Sequence, residues 1–231
     1  LYGHQELIDI DKLPRHISGF GASSYLKIAE GCDNRCSYCI IPALRGRYRS
    51  RKTEDILEEA KELSRNGIKE VNVIAQDITR YGLDLYKSRQ LSELLKKLAE
   101  INGIEWIRLL YSYPDEFNDE LIEVIAREDK ICKYLDIPIQ HASNRILKKM
   151  GRRSSREQIL RLIEKLRKRI PGIILRTTLI VGFPGETEED FKELYDFVSE
   201  KKFNRLGVFA YSKEEDTPAF NMPNQVEEAV K

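Results

Sequence analysis

The chain has 231 residues, 41% hydrophobic and 33% charged, with 39 Lys plus Arg against 38 Asp plus Glu. That length is enough to bury one sizeable core, and that composition excludes a disordered chain. The formal charge of +1 gives no global basic field for strong nucleic-acid binding, no apolar run reaches the roughly 18 residues of a membrane span, and the N-terminal segment lacks the regions of a secretion signal.

In chain order, residues 1–24 read as an extension ahead of a first strand at 25–29. Thr53 is placed to cap a helix carrying Ile56, Leu57, Ala60 and Leu63, which Gly67 ends. A strand at 69–75 precedes the stripe Leu91, Leu94, Leu95 and Leu98; a strand at 106–111 precedes Leu121, Ile122 and Ile125. After a strand at 134–137 come Ile159, Leu162, Ile163 and Leu166, closed by Pro171-Gly172. A strand at 173–181 leads to a helix capped by Thr187, with Asp190 at its third position and Phe191, Leu194 and Val198 inward, and the last strand is 205–211. Asn224, with Glu227 three residues later, predicts one more helix start. That helix would stop short at Lys231 and the chain does not begin with Met, so the sequence reads as a piece of something longer.

Alternation at this spacing demands an α/β fold of parallel strands joined by right-handed crossover helices. The units are too few for an eight-fold barrel, which leaves an open doubly wound sheet or a partial barrel. Either places chemistry at the carboxyl ends of the strands.

Of four cysteines, Cys32, Cys36 and Cys39 fall within eight residues, directly after the first strand. Such clustering without a secretion signal favours a metal site in a reducing compartment over a disulfide scaffold. Thiolates ligate iron–sulfur cubes one per iron, so three in one loop leave the fourth iron open to a ligand. A structural zinc with His141 as a fourth ligand is the competing reading. Cys132 reads as a small buried hydrophobe. Tyr38, beside the last ligand, either packs on a ligand ring or fills core. Gln76 and Asp77 end the second strand, as ligand-bonding groups or, for Asp77, as a turn cap. Gln140 and His141 end the fourth, where His141 equally suits a satisfied core position. Arg176 lies inside an apolar strand and needs a partner, an anionic ligand or a core acid. Gly182-Phe183-Pro184-Gly185-Glu186 either offers amides to a ligand or simply joins strand to helix. Arg45, Arg47, Arg49 and Arg51 form a basic cluster, facing a substrate or solvated.

Cys-x3-Cys-x2-Cys with an aromatic residue before the last cysteine resembles the signature of the radical S-adenosylmethionine (SAM) superfamily. The resemblance implies a partial (βα)6 TIM-like barrel of the radical SAM type, with a 4Fe-4S cluster on Cys32, Cys36 and Cys39. It implies that the methionyl amino and carboxylate groups of SAM chelate the open iron, and that reductive cleavage yields a hydrogen-abstracting 5′-deoxyadenosyl radical. Tyr38, Gln76, Asp77, Gln140 and Arg176 are then the candidate cofactor-binding residues.

Further stretches narrow the family. Tyr25 to Cys32, Ile40-Ile41-Pro42 with Arg45-Gly46, Gln76-Asp77, Tyr81-Gly82, the run Leu135 to Ser143, Thr178 to Thr187 and Phe209 to Ser212 resemble the methylthiotransferases, over roughly residues 24–218. Gln76-Asp77 and Asp136-Ile137-Pro138-Ile139-Gln140-His141-Ala142-Ser143 are similar to the ribosomal-protein branch, where the tRNA-modifying branch carries Gln-Asn and Pro-Val-Gln-Ser-Gly-Ser. The resemblance implies methylthiolation of the β-carbon of an aspartate in small-subunit ribosomal protein twelve, in the cytoplasm, with an external electron donor. The alternatives are a tRNA adenosine methylthiotransferase and a non-enzymatic, metal-stabilised ribosome- or RNA-binding module. It further implies a second cluster in a missing N-terminal domain, a catalytic domain at 25–218, and a linker or helix at 219–231 leading to a missing C-terminal domain. A fragment so bounded is expected to bind one cluster without completing sulfur insertion.

Overall fold

The computed structural model describes residues 21–231. Six parallel strands form one sheet: β1 (Ser23–Lys27), β4 (Glu70–Ile74), β5 (Trp106–Leu109), β6 (Ile131–Asp136), β7 (Ile174–Val181) and β8 (Arg205–Ala210). A separate antiparallel ribbon pairs β2 (Ala29–Glu30) with β3 (Arg49–Ser50). All six strands expected from the sequence are present, each within a few residues of its expected bounds. Their order in space is their order in the chain. With right-handed crossovers, such an order keeps every helix on one side and lets the sheet curl. A doubly wound sheet would instead reverse order at a switch point. The partial barrel is therefore the architecture.

The outer layer is α2 (Thr53–Arg65), α3 (Leu91–Ala99), α4 (Asp119–Arg127), α6 (Arg156–Arg169) and α7 (Glu188–Lys201), with short helices α1 (Ile41–Arg45) and α5 (Asn144–Lys149) in the connections. Period-2 alternation along the strands sends Leu26, Val71, Val73, Ile107, Leu109, Leu135, Leu175 and Leu179 outward, all buried. They meet Ile56, Leu63, Leu94, Leu98, Ile122, Ile125, Ile163 and Leu166, which recur at helical spacing on the facing helices. Each such side chain contributes about 1.5–3 kcal/mol by leaving water. The other strand positions line the concave inner face, which mixes polar residues, among them Asn72, Arg108, Tyr134, Asp136, Arg176 and Thr178, with apolar ones such as Ile180 and Phe209.

Ser155 and Thr187 each close a capping box, with Gln158 and Asp190. Thr53 does not cap: it is the first residue of α2, Lys52 precedes it without a side-chain cap, and its hydroxyl meets that of Tyr81. No helix starts at Asn224, which adopts a left-handed φ of 59° that an N-cap does not use. Ahead of it, Pro218–Asn221 forms a 3-10 turn that buries Ala219 with Ile146, Met150, Phe183 and Tyr211. The segment 219–231, expected as a linker, thus packs onto the barrel. At the other end β1 begins at Ser23, inside the expected extension; residues 1–20 lie outside the described residues.

Candidate functional site

The chain leaves β2 through Gly31 into the cysteine loop at the carboxyl edge of the sheet. Gly31 has φ +78°, and a Cβ there would stand 2.2 Å from the Arg47 carbonyl oxygen, so only glycine lets the loop meet the β2–β3 ribbon. Cys32 N–H donates to Gly46 O at 3.1 Å, and Cys39 N–H to Cys36 O at 3.1 Å.

The back of the loop is bonded to three other parts of the chain. Asn34 Nδ2 donates to Asp77 Oδ2 at 2.9 Å, and its Oδ1 accepts from Arg153 at 3.3 Å. Ser37 N–H donates to Met150 O at 2.9 Å and its hydroxyl to Lys149 O at 2.8 Å. Ser37 O accepts from Ala219 N–H at 2.8 Å. Gly151, at φ +70°, brings its backbone so close that a Cβ would stand 2.4 Å from Arg35 O. Arg153 continues into a charge network on buried Glu116, which also pairs with Arg80 and Arg89.

The front carries the three thiols, each partly exposed. Burial pushes the Cys32 and Cys39 thiols above their ordinary pKa, so metal ions are what would draw their protons off. Arg152, itself buried, lies 3.8 Å from Cys36 Sγ, stacks 3.9 Å over the Tyr113 ring and donates to Pro138 O at 2.7 Å. Burial works against its charge, but Tyr38, Tyr113 and Cys36 hold the guanidinium above its ordinary pKa. A fixed positive charge therefore stands beside the cysteine loop.

A cleft of about 500 Å³ opens between this front and the inner face of β7 and β8, lined by Tyr38, Cys39, Gln140, Thr178, Ile180 and Phe209 among others. Gln140 has φ +71°, sparsely populated for any residue but glycine, and is stitched to β7: its N–H donates to Thr178 O at 2.9 Å and its carbonyl accepts from Ile180 N–H at 2.8 Å. Its side-chain Oε1 is buried without a hydrogen-bond partner. An unpaired acceptor in a cleft beside Cys39 suits a bound molecule with N–H donors.

The remaining predicted residues resolve as follows. Tyr38 packs on the small cluster around Met150 and Phe183, the core-filling reading, and also lines the cleft. Asp77 is buried; it caps the turn Ile78–Arg80 by accepting from Thr79 N–H and holds Asn34. Its place is behind the loop, as a cap, rather than in the cleft. Gln76 is exposed beside it and does not line the cleft. Arg176 pairs with the buried acid Asp136 at 2.9 Å, the core-acid alternative. His141 is fully buried, its Nδ1 accepting from Ser143 N–H at 2.9 Å, but its Nε2 has no hydrogen-bond partner among the described residues and lies 3.8 Å from Glu186, so the position is core without being fully satisfied. The Gly182–Glu186 amides are used internally: Phe183 N–H donates to Glu186 and Gly185 N–H to Asn224 O. Arg45 pairs with Glu30, Arg49 donates to Arg45 O and Arg47 O, and Arg51 is a buried strut to Glu59, so these side chains serve their own loops. Among the described residues no three His, Cys, Asp or Glu side chains converge as one zinc ion requires; thiolates on separate irons of a cube have no such requirement. Sequence reasoning missed Arg152, Tyr113, Asn34 and Glu116. The one signal for Arg152 was Gly151-Arg152-Arg153 directly after a short helix, and nothing local ties it to Cys36.

A family model, the radical SAM superfamily, matches residues 26–198. The chain is 60% identical over 226 residues to a ribosomal protein uS12 methylthiotransferase RimO of Clostridioides difficile, covering 98% of this chain and 51% of that protein. Its identity to the RimO of Pelotomaculum thermopropionicum is 62% over 209 residues, covering 90% and 47%. The chain thus spans about half the length of the curated relatives it matches. Among solved structures, it superposes on the radical SAM methyltransferase TsrM of Kitasatospora setae with a TM-score of 0.66 at 22% identity, covering 84% of this chain and 38% of that one. Coproporphyrinogen III oxidase (HemN) of Escherichia coli, a radical SAM enzyme, gives 0.60 at 19%, covering 90% and 48%. Both share the fold.

Proposed function

The chain belongs to the radical SAM superfamily, and from that premise we propose that these residues form the radical-generating domain of a methylthiotransferase acting on an aspartate β-carbon of ribosomal protein uS12. The observation that carries the reading is the two-sided cysteine loop: three thiols on a rigidly backed turn, open to a cleft with an unpaired acceptor. Cys32, Cys36 and Cys39 hold a 4Fe-4S cluster and leave one iron free. Bound there, the cluster and SAM would supply a hydrogen-abstracting radical, chemistry that belongs to the cofactors.

The chain's own groups bind, orient and shield. Arg152 sets a positive charge against the thiolate cluster. Tyr38 and Phe209 wall the cleft, and Gln140 Oε1, buried without a partner, would accept from an N–H donor of SAM. The substrate assignment rests on the RimO relatives at about 60% identity and on Gln76-Asp77 with Asp136 to Ser143, which set this branch apart from the tRNA-modifying one. Outside the loop the sequence has only Cys132, on β6, so these 231 residues supply ligands for one cluster. A second cluster, an external electron donor and a cytoplasmic ribosomal target complete the reading. No helix among the described residues is long and apolar enough to cross a membrane.

The test is a full-length enzyme carrying this domain, reconstituted anaerobically and given uS12 and tRNA separately. The expected result is a methylthio mass shift on one uS12 aspartate and none on tRNA; the reverse pattern sinks the assignment.

A further inference from the structure

We propose that Arg176 and Arg205, on the inner face of the barrel below the cleft, form a carboxylate subsite that holds the side chain of the substrate aspartate. The inference rests on the uS12 reading above and adds to it the residues that select an acidic side chain.

Parallel pairing sets Arg176 directly beside Arg205, on the same face of neighbouring strands. Like charges so placed repel. Only Arg176 has an acid: Asp136, its register partner on β6, bonded at 2.9 Å to its Nη1. Arg205 is exposed and has no ion pair among the described residues. Arg176 is 38% exposed although its partner Asp136 is 2% exposed, so part of its guanidinium faces the barrel interior. Nearby Arg108 is taken by Glu70 at 2.6 Å and lies over the Tyr134 ring, and neutralises nothing further. Two arginines against one acid leave one positive charge in surplus, with no counter-ion among the described residues.

Position separates this subsite from the cofactor. Thr178 and Ile180 on β7 line the cleft, and Arg176 is the next inward-facing position, about 7 Å below Thr178. Arg176 does not itself line the cleft that Cys39 and Tyr38 share with Thr178, and its bond to Asp136 holds it on the far side of Thr178 from the cysteine loop. Gly207 lies on β8 between Arg205 and Phe209, and the Phe209 ring edge and Thr178 Oγ1 stand 3.6 and 3.9 Å from where its Cβ would be, so the floor of the cleft reaches down to the level just above the arginines. A planar guanidinium with a free edge is the group best matched to a carboxylate.

The test compares two peptides, one spanning the modified aspartate of uS12 and its twin with asparagine there. Each is titrated by fluorescence anisotropy against this chain loaded with cluster and SAM. R205Q is exposed and leaves the core alone; R176Q is made together with D136N so that no buried carboxylate is stranded. The wild-type chain is expected to prefer the aspartate peptide tenfold or more, and both variants to lose that preference while binding the asparagine peptide as before. Should wild type prefer aspartate and the variants keep the preference, the subsite is refuted and the function stands. Equal wild-type binding of both peptides refutes the subsite as well. Should wild type bind neither peptide, the uS12 reading itself fails and takes the subsite with it.

Discussion

The two faces of the cysteine loop follow opposite rules. On the back, Asn34 and Ser37 are buried and hydrogen-bonded to the β4 end, to the turn after α5 and to Ala219. On the front, three thiols stand partly exposed, and Gln140 Oε1 in the adjoining cleft has no partner. Asn34 and Ser37 are satisfied within the fold, so the back is scaffold, whereas an unpaired acceptor in an open cleft beside three thiols is where a ligand would complete the structure. The difference predicts that front substitutions act on cofactor binding and back substitutions on the fold.

The largest effect should come from the front. Cys36→Ala is expected to cut reconstituted iron from about four per chain to nearly none. The melting temperature of the metal-free chain should stay where it is, because no back contact is lost. Iron analysis with a thermal melt reads both. Gly151→Ala strikes the back. A non-glycine residue at φ +70° with its Cβ 2.4 Å from Arg35 O costs about 2–4 kcal/mol from backbone strain and overpacking together. Melting should fall by roughly 5–10 °C, and iron uptake should fall with it. Unchanged melting would erase the distinction between the faces.

A third perturbation lies further behind the loop. Asp190 accepts from Ser143 Oγ, Arg145 and Thr187 N–H, tying α7 to the segment that carries Gln140. Although burial opposes it, these bonds hold the carboxyl down at about 2. A depressed acid stabilises the fold above its unfolded value near 3.8 and loses that contribution as pH falls toward 2. Asp190→Asn should therefore cost about 1–2 kcal/mol at neutral pH, with the gap to wild type closing below pH 4 in urea titrations. The smallest effect is Gln140→Ala, which should weaken SAM binding about threefold to tenfold, the size of one hydrogen bond. Stability should move by less than about 0.5 kcal/mol, since only an unpaired atom is removed.

Period-2 runs and apolar stripes sufficed to recover all six strands and the capping box at Thr187, because both signals are local; the box at Ser155 went unread. The choice of partial barrel over doubly wound sheet needed strand order, which no local pattern carries. Cys32, Cys36 and Cys39 were legible because their spacing is itself the chemistry. Arg152 was not, since it meets Cys36 only after the chain has closed β6 and α5 over the loop. Asp77 and Arg176 looked alike in sequence, polar residues in or at the end of a strand. The fold separates them, Asp77 turning behind the loop as a cap and Arg176 staying on the inner face. The segment from Asn224 misled because Asn with an acid three residues on suits a helix start, whereas packing of Ala219 and the left-handed turn at Asn224 carry the chain elsewhere.

Electron paramagnetic resonance of the anaerobically reconstituted, reduced chain tests the central claim most directly. With one iron left open by three cysteine ligands, adding SAM should change the cluster's spectrum, and the C36A chain should give no cluster signal at all. A cluster whose spectrum is indifferent to saturating SAM would mean that no iron is open, and the account would be wrong at its foundation.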